Sequence, residues 1–199
     1  MQEESSTEQR ILEAAESVFL EDGFAGARMQ HIADRAGINK AMLHYYFRSK
    51  DKLFELVFRH KMKQFVPQIT AALHDDSLSF LEKMDRFIMA YLSMLMRNQG
   101  LPVFVLSTLA RNPQLLQFFQ LEFGKEVVQI MQEEVKKGNI RAVDPHQFML
   151  TLIGMCIFPF AGRPIFSKIF SLSDDSYQQI LRERHVHVMQ YVRDLLTVR

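Results

Sequence analysis

A chain of 199 residues with 48% apolar and 24% charged side chains has the make-up of a folded globular protein and excludes a disordered or fibrous one. Its formal net charge is only +1, and its single cysteine, Cys156, excludes an intrachain disulfide and a cysteine-clustered metal site. The acidic, polar start from Met1 to Glu8 lacks the basic and then apolar run of an export signal, so a reducing, cytoplasmic setting is expected.

Apolar periodicity predicts an all-α chain of about nine helices, and strand signals are nearly absent. The first helix is expected from Ser6 or Thr7, where Ser5/Glu8 and Ser6/Gln9 have capping-box spacing; Ile11, Ala15, Val18 and Phe19 form its apolar stripe and Gly23 ends it. Short helices are predicted over 29–36 and 40–47. A long helix capped by Ser49 follows, carrying Leu53, Leu56, Val57 and Phe65 and bent or broken near Pro67. Ser79 with Glu82 opens a helix through Phe87, Tyr91 and Leu95 that stops at Gly100, and a short piece follows Pro102. Asn112-Pro113 is an N-cap followed by proline at the first helical position, and Leu115, Phe119, Phe123, Val127 and Met131 predict one long helix to Gly138. Asp144-Pro145 repeats that signal before an apolar helix through Phe148, Leu152 and Met155, interrupted by Pro159, Gly162 and Pro164. The apolar stretch 148–161 is shorter than the roughly 20 residues of a membrane span, so a buried helix and no membrane partner are expected. Ser173, Asp174 and Asp175 favour the start of a last helix, whose face includes Tyr177, Ile180, Leu181, Val188, Tyr191 and Leu195.

The segment from Met29 to Phe47 has the steric grammar of a helix-turn-helix: a small residue where two helices cross, a turn-tolerant residue, and apolar positions beneath. Ala33 permits the crossing, Gly37 can take positive φ at the turn, and Ile32, Ile38 and Leu43 are spaced to pack on the first helix. Asn39, Lys40, Ala41, His44 and Tyr45 then project outward, a set suited to a major groove that admits one helix. Lys40 can reach a phosphate or a guanine edge, Asn39 and His44 offer hydrogen bonds, Ala41 permits close approach, and Tyr45 can give its hydroxyl to the backbone. Lys50 and Lys52 open the next helix, whose exposed amides also attract phosphate. The overall charge hides an uneven distribution. Residues 28–63 hold nine Lys and Arg against three acids, whereas Arg10 alone faces seven acids before Arg28.

The stretch 11–24, Ile32-Ala33, Ala36-Gly37-Ile38 and the run from Leu43 to Leu53 closely resemble the DNA-binding region of tetracycline-repressor-type (TetR) regulators. The resemblance covers about the first quarter of the chain and implies a three-helix helix-turn-helix head over 1–50 and an all-helical effector-binding and dimerisation body over 51–199. It implies that Arg28, Met29, Asn39, Lys40, Ala41, His44, Tyr45 and Lys50 lie at the DNA surface. Two departures stand out: Arg28 replaces a small hydroxyl cap, and His44 stands where tyrosine is frequent. The resemblance further implies a repressor that binds a palindromic double-stranded operator as a homodimer through its last two helices. Two heads about 34 Å apart read more bases than one short helix can.

Seventeen phenylalanines and twelve methionines suggest an apolar interior able to host a small apolar effector. Phe87, Tyr91, Phe104, Phe119, Phe123, Met155 and Phe158 are the candidate lining. By the family's mechanism such an effector would wedge the body helices, tilt the long helix after Ser49 and change the spacing of the heads. No cofactor, metal site or catalytic residue is expected. There is no phosphate-cradling glycine loop or serine elbow, and His185 and His187 sit about 200° apart around a helix. The chain is therefore not expected to be an enzyme. Glu133-Glu134 and Asp174-Asp175 are better read as a solvated face and a helix start.

Overall fold

The computed structural model describes residues 2–118 and 122–198, with side chains described over 7–115 and 124–198. The fold is all-α, as the periodicity predicts. Ten α-helices lie among the described residues: α1 (Gln2–Gly26), α2 (Met29–Ala36), α3 (Lys40–Tyr46), α4 (Lys50–Thr70), α5 (Phe80–Arg97), α6 (Leu101–Arg111), α7 (Glu122–Lys136), α8 (Pro145–Ala161), α9 (Arg163–Ile169) and α10 (Asp174–Leu196). The described residues include no strand.

Several starts are the ones the sequence signals. Ser79 accepts from the Glu82 amide at 3.4 Å while the Glu82 carboxylate accepts from the Ser79 amide at 2.8 Å, a complete capping box on α5. Asp144 caps α8 with Pro145 in its first turn, and Ser173 caps α10. The proposed caps at Ser5 and Ser6 lie outside the described side chains. Gly23 breaks α1 at φ 66°, and one further turn runs on to Gly26.

Three expectations are corrected. At Pro67, where a bend or a break is expected, the break does not occur, and α4 continues to Thr70 before a 3-10 turn over Ala71–His74. The expected long helix from Pro113 is instead a 3-10 segment, Pro113–Phe118, and a separate α7. The Leu115 amide bonds three residues back to Asn112 at 3.0 Å, the tighter pitch of that helix type. Pro159 does not end α8 either. The helix stops at Gly162, and α9 leaves at 71° to it. Proline lacks the N–H that the Met155 carbonyl would receive, and the Arg184 Nε of α10 donates to that carbonyl instead at 3.0 Å. Tyr177, also on α10, donates its hydroxyl to the Pro159 carbonyl at 2.7 Å. Nor is α8 wholly buried: Phe148, Leu152, Cys156 and Phe160 form its inner stripe, while Leu150 and Phe158 are 71% and 55% exposed.

Two compact units emerge: Met1–Gln64 with Val103–Phe119, and Phe65–Pro102 with Gln120–Arg199. The first is built on aromatic packing, with Phe54 set edge-on to both Phe19 and Phe24 at centroid distances of 4.8 Å. The second has α5 at its centre, burying Phe80, Met84, Phe87, Ile88, Leu92 and Leu95, with α8 and α10 packed on it.

Candidate nucleic-acid interface

The first unit holds α2 and α3 in a fixed relation. Ile32, Ala33 and Ala36 of α2, Leu43 of α3 and the α1 stripe Ile11, Ala15, Val18 and Phe19 are all buried. Gly37 sits in the left-handed region at φ 68°, ψ 34°. Its amide bonds to the Asp34 carbonyl at 3.2 Å, and the Ile38 amide bonds to that of Ala33 at 3.0 Å. These two bonds close α2 and turn the chain. Asn39 then starts α3, its side-chain oxygen accepting from the Met42 amide at 2.7 Å. Ile38 is half-buried rather than fully packed.

With Leu43 the single buried residue of α3, the opposite face is free of the core. Lys40, Ala41, His44 and Tyr45 are exposed, Tyr45 at 80%. Met42, which sequence reasoning passed over, is 42% exposed beside them. Arg28 is exposed and occupies the N-cap position of α2 without a side-chain cap bond, so its charge stands where a capping hydroxyl would otherwise be. Met29 is half-buried. The acceptor oxygen of Asn39 is engaged in the cap. Lys50 is also engaged, because its ammonium donates to the Ala27 carbonyl at 2.8 Å and lies 4.6 Å from the centre of the Phe24 ring. It closes the end of the α1 segment, where a cation suits the exposed carbonyls.

The structure divides the local positive charge into two groups. Arg35 forms a two-pronged pair with Glu21 at 2.7 and 2.9 Å and also donates to Ser17 at 2.6 Å. These hydrogen bonds hold the Glu21 carboxyl down at about 2. Lys61 pairs with Glu16, and Arg59 with Glu55 at 3.0 Å. Two of the nine basic residues, Arg35 and Lys61, thus answer acids of α1, and Arg59 is paired within α4. Among the described residues Arg28, Lys40, Arg48, Lys52 and Lys63 have no acidic partner, and all five are exposed. Of these, sequence reasoning had given Arg48 and Lys63 no individual role, although their charge was the available signal.

Among the described candidate effector residues, two are brought together on one cleft. Phe87 and Tyr91 are core residues of α5, their ring centres 5.9 Å apart, and burial pushes the Tyr91 hydroxyl pKa up. Phe104 belongs to the first unit, 5.1 Å from Phe54 and 6.0 Å from Phe58 between ring centres. Phe119 lies outside the described residues, as does the side chain of Phe123. Met155 and Phe158 do come together, on a cleft of about 600 Å³ bordered by α8, α9 and α10. Gly154, Phe166, Phe170, Tyr177 and Arg184 share that lining and were missed. Cys156 lies fully buried, and burial pushes its thiol up to about 12, which keeps it protonated and inert at neutral pH. Among the described residues no cluster of three His, Cys, Asp or Glu side chains could hold a metal ion, and no single helix is long and apolar enough to cross a membrane.

Residues 11–57 match the family described as bacterial regulatory proteins, tetR family, and residues 82–197 match the tetracyclin repressor-like C-terminal domain. The HTH-type transcriptional repressor NicS of Pseudomonas putida is 44% identical over 59 residues, which is 30% of this chain and 28% of that protein. The HTH-type transcriptional regulator RutR of Escherichia coli is 37% identical over 71 residues, 36% of this chain and 34% of that one. The matched region thus spans well under two thirds of these curated relatives. A Saccharomonospora viridis protein solved in complex with choline shares the fold with a TM-score of 0.75 at 18% identity, over 98% of this chain and 100% of that chain.

Proposed function

We propose that this chain, which belongs to the tetR family of bacterial regulatory proteins, is a transcriptional repressor that sets α3 into the major groove of a palindromic operator. The carrying observation is α3 itself. Its seven residues place Leu43 in the core and leave Lys40, Ala41, His44 and Tyr45 on a face that no folding interaction requires. A tyrosine that is 80% exposed beside an unpaired lysine suits a polyanion with stacked bases far better than water. Arg28, Arg48, Lys52 and Lys63 supply phosphate contacts that carry affinity without sequence information. Lys50 supports them by closing α1, and Asn39 by capping α3.

The chain acts as a homodimer through α8 and α10, because one short recognition helix covers too few bases. Large apolar side chains left exposed on those helices, Leu150, Val186 and Tyr191, support that choice of face. A small apolar molecule bound in the helical body controls DNA affinity, with no metal or other cofactor, and the site of action is the cytoplasm. Selection of bound DNA from a random pool tests the reading. Palindromic sites are expected, with binding that weakens steeply with salt and with Lys40→Ala and Tyr45→Ala. Recovery of the same sites at unchanged affinity by both variants would show that α3 does not read the DNA.

A further inference from the structure

The outward face of α3 has two unlike flanks. A helix turns by roughly 100° per residue, so with Leu43 directed into the core the side chains at 41 and 45 stand farthest from it. Residues 40 and 44 then fall on one flank and 42 and 46 on the other. The first flank is polar, with Lys40 and His44 both exposed and both able to donate hydrogen bonds. The second is led by Met42, 42% exposed, with the half-buried Tyr46 behind it. A single exposed methionine is ordinary on a protein surface. This one is set apart by its place, on the face where Lys40, Ala41 and Tyr45 are turned toward DNA and where Leu43 alone holds the helix to the core. Its backbone is fixed as well, because the Met42 amide donates to the side-chain oxygen of Asn39 at 2.7 Å. A duplex offers little that such a side chain can meet. Phosphates are charged, and the major-groove edges of the bases present hydrogen-bond donors and acceptors together with one apolar group, the C5 methyl of thymine. Against a purely polar edge, methionine would displace water and return no hydrogen bond. Against a methyl, its flexible and polarizable thioether fits without that cost.

We infer that Met42 is a specificity-determining residue of α3 and packs on the C5 methyl of one thymine in each operator half-site, leaving polar readout to the flank of Lys40 and His44. The inference rests on the reading of α3 as the helix that enters the major groove, and it names a base which that helix selects.

Deoxyuridine lacks only the thymine methyl, so it removes the contact from the DNA side and leaves base pairing in place. An operator selected from a random pool is remade with deoxyuridine at one thymine position at a time, symmetrically in both half-sites, and titrated with the full-length protein by fluorescence anisotropy. At one position the wild type should lose about fourfold per half-site and roughly fifteenfold for the symmetric pair, the effect of one buried methyl in each. Met42→Ala should bind the thymine operator more weakly than wild type and no longer distinguish it from the deoxyuridine one. Met42→Leu, apolar and of similar size, should keep most of the discrimination. Both variants stay folded, since the side chain lies outside the core, and thermal unfolding checks this. A selected half-site without thymine overturns the inference, as does a wild-type protein indifferent to every thymine methyl. So does a methyl effect of undiminished size in Met42→Ala, which would place the contact on Ala41 or Tyr45. Each of those results leaves the regulatory reading standing, because the operator is still bound; a protein that selects no DNA site removes both.

Discussion

Two residues on opposite sides of α3 should separate stability from DNA binding. Leu43 is fully buried and is the sole core residue of a helix of seven residues, a length that cannot hold helical structure alone. Leu43→Ala removes that anchor and leaves a cavity in the core beneath α3, which costs about 3 kcal/mol from a usual range of about 2–5. For a unit of this size the melting temperature should fall by roughly 15 °C. Tyr45 is 80% exposed, with the Tyr46 ring edge-on to it at 5.6 Å, so Tyr45→Ala should change stability by about 0.5 kcal/mol or less. Its effect belongs on DNA. Losing about 1 kcal/mol at each of two recognition helices weakens a dimer on its operator by roughly 30-fold. Thermal unfolding by circular dichroism, paired with gel shifts on a selected operator below the melting range, reads both quantities. A Tyr45→Ala protein that melts as early as Leu43→Ala, or a Leu43→Ala protein as stable as wild type, would refute this division of α3.

Three further outcomes follow from single features. Gly37→Ala meets no atom within 4 Å but must hold φ at 68°, so it should lose about 1 kcal/mol by chemical denaturation, with Gly37→Asn losing less. Glu21 is depressed from 4.5 to about 2 by Arg35 and Ser17. Its stabilising effect is therefore complete above pH 4.5 and disappears as pH falls toward 2, and Glu21→Gln should flatten the acid-unfolding curve in that window. Both partners are well exposed, so added salt should narrow the difference between variant and wild type. Pro159→Ala restores the missing N–H to α8 and should raise the melting temperature. Arg184→Met should cost about 1–2 kcal/mol with Pro159 present and little with alanine there, a coupling that a double-mutant cycle measures.

What the sequence made legible is what its signals encode locally. Ala33 and Gly37 act within a few residues of themselves, on a crossing and a left-handed turn, and both do what their spacing predicts, whereas Asn39, read from the sequence only as a hydrogen-bonding member of the outward set, gives its side-chain oxygen to the cap of α3. Other readings change through a partner distant in the chain. Pro159 looks like a helix stop until Arg184, 25 positions later, supplies the missing donor. Lys50, read from the sequence as a residue of the DNA surface, also gives its ammonium to the carbonyl of Ala27, 23 positions earlier. Phe104 has the spacing of a core aromatic, but nothing in that spacing says which core, and it belongs with Phe54 and Phe58.

The charge pattern shows most clearly how a count can be right about place and incomplete about cause. Nine basic residues against three acids between 28 and 63 mark the correct segment. Yet α1, acidic in sequence and outside that window, folds onto it, and Glu16 and Glu21 take Lys61 and Arg35. Those pairs fasten α1 to its neighbours and leave exposed the cations that α1 does not reach. The acidic helix therefore works in two ways: it steadies the frame on which α3 is mounted, and it cancels positive charge where an interface would gain nothing from it. Neutralising Lys52 should lower affinity for all DNA sequences alike and reduce its salt dependence, whereas neutralising Arg35 should act through the stability of the frame. Two lysine-or-arginine positions of equal weight in the sequence count thus have different physical roles, distinguished by whether a carboxylate from α1 lies within reach.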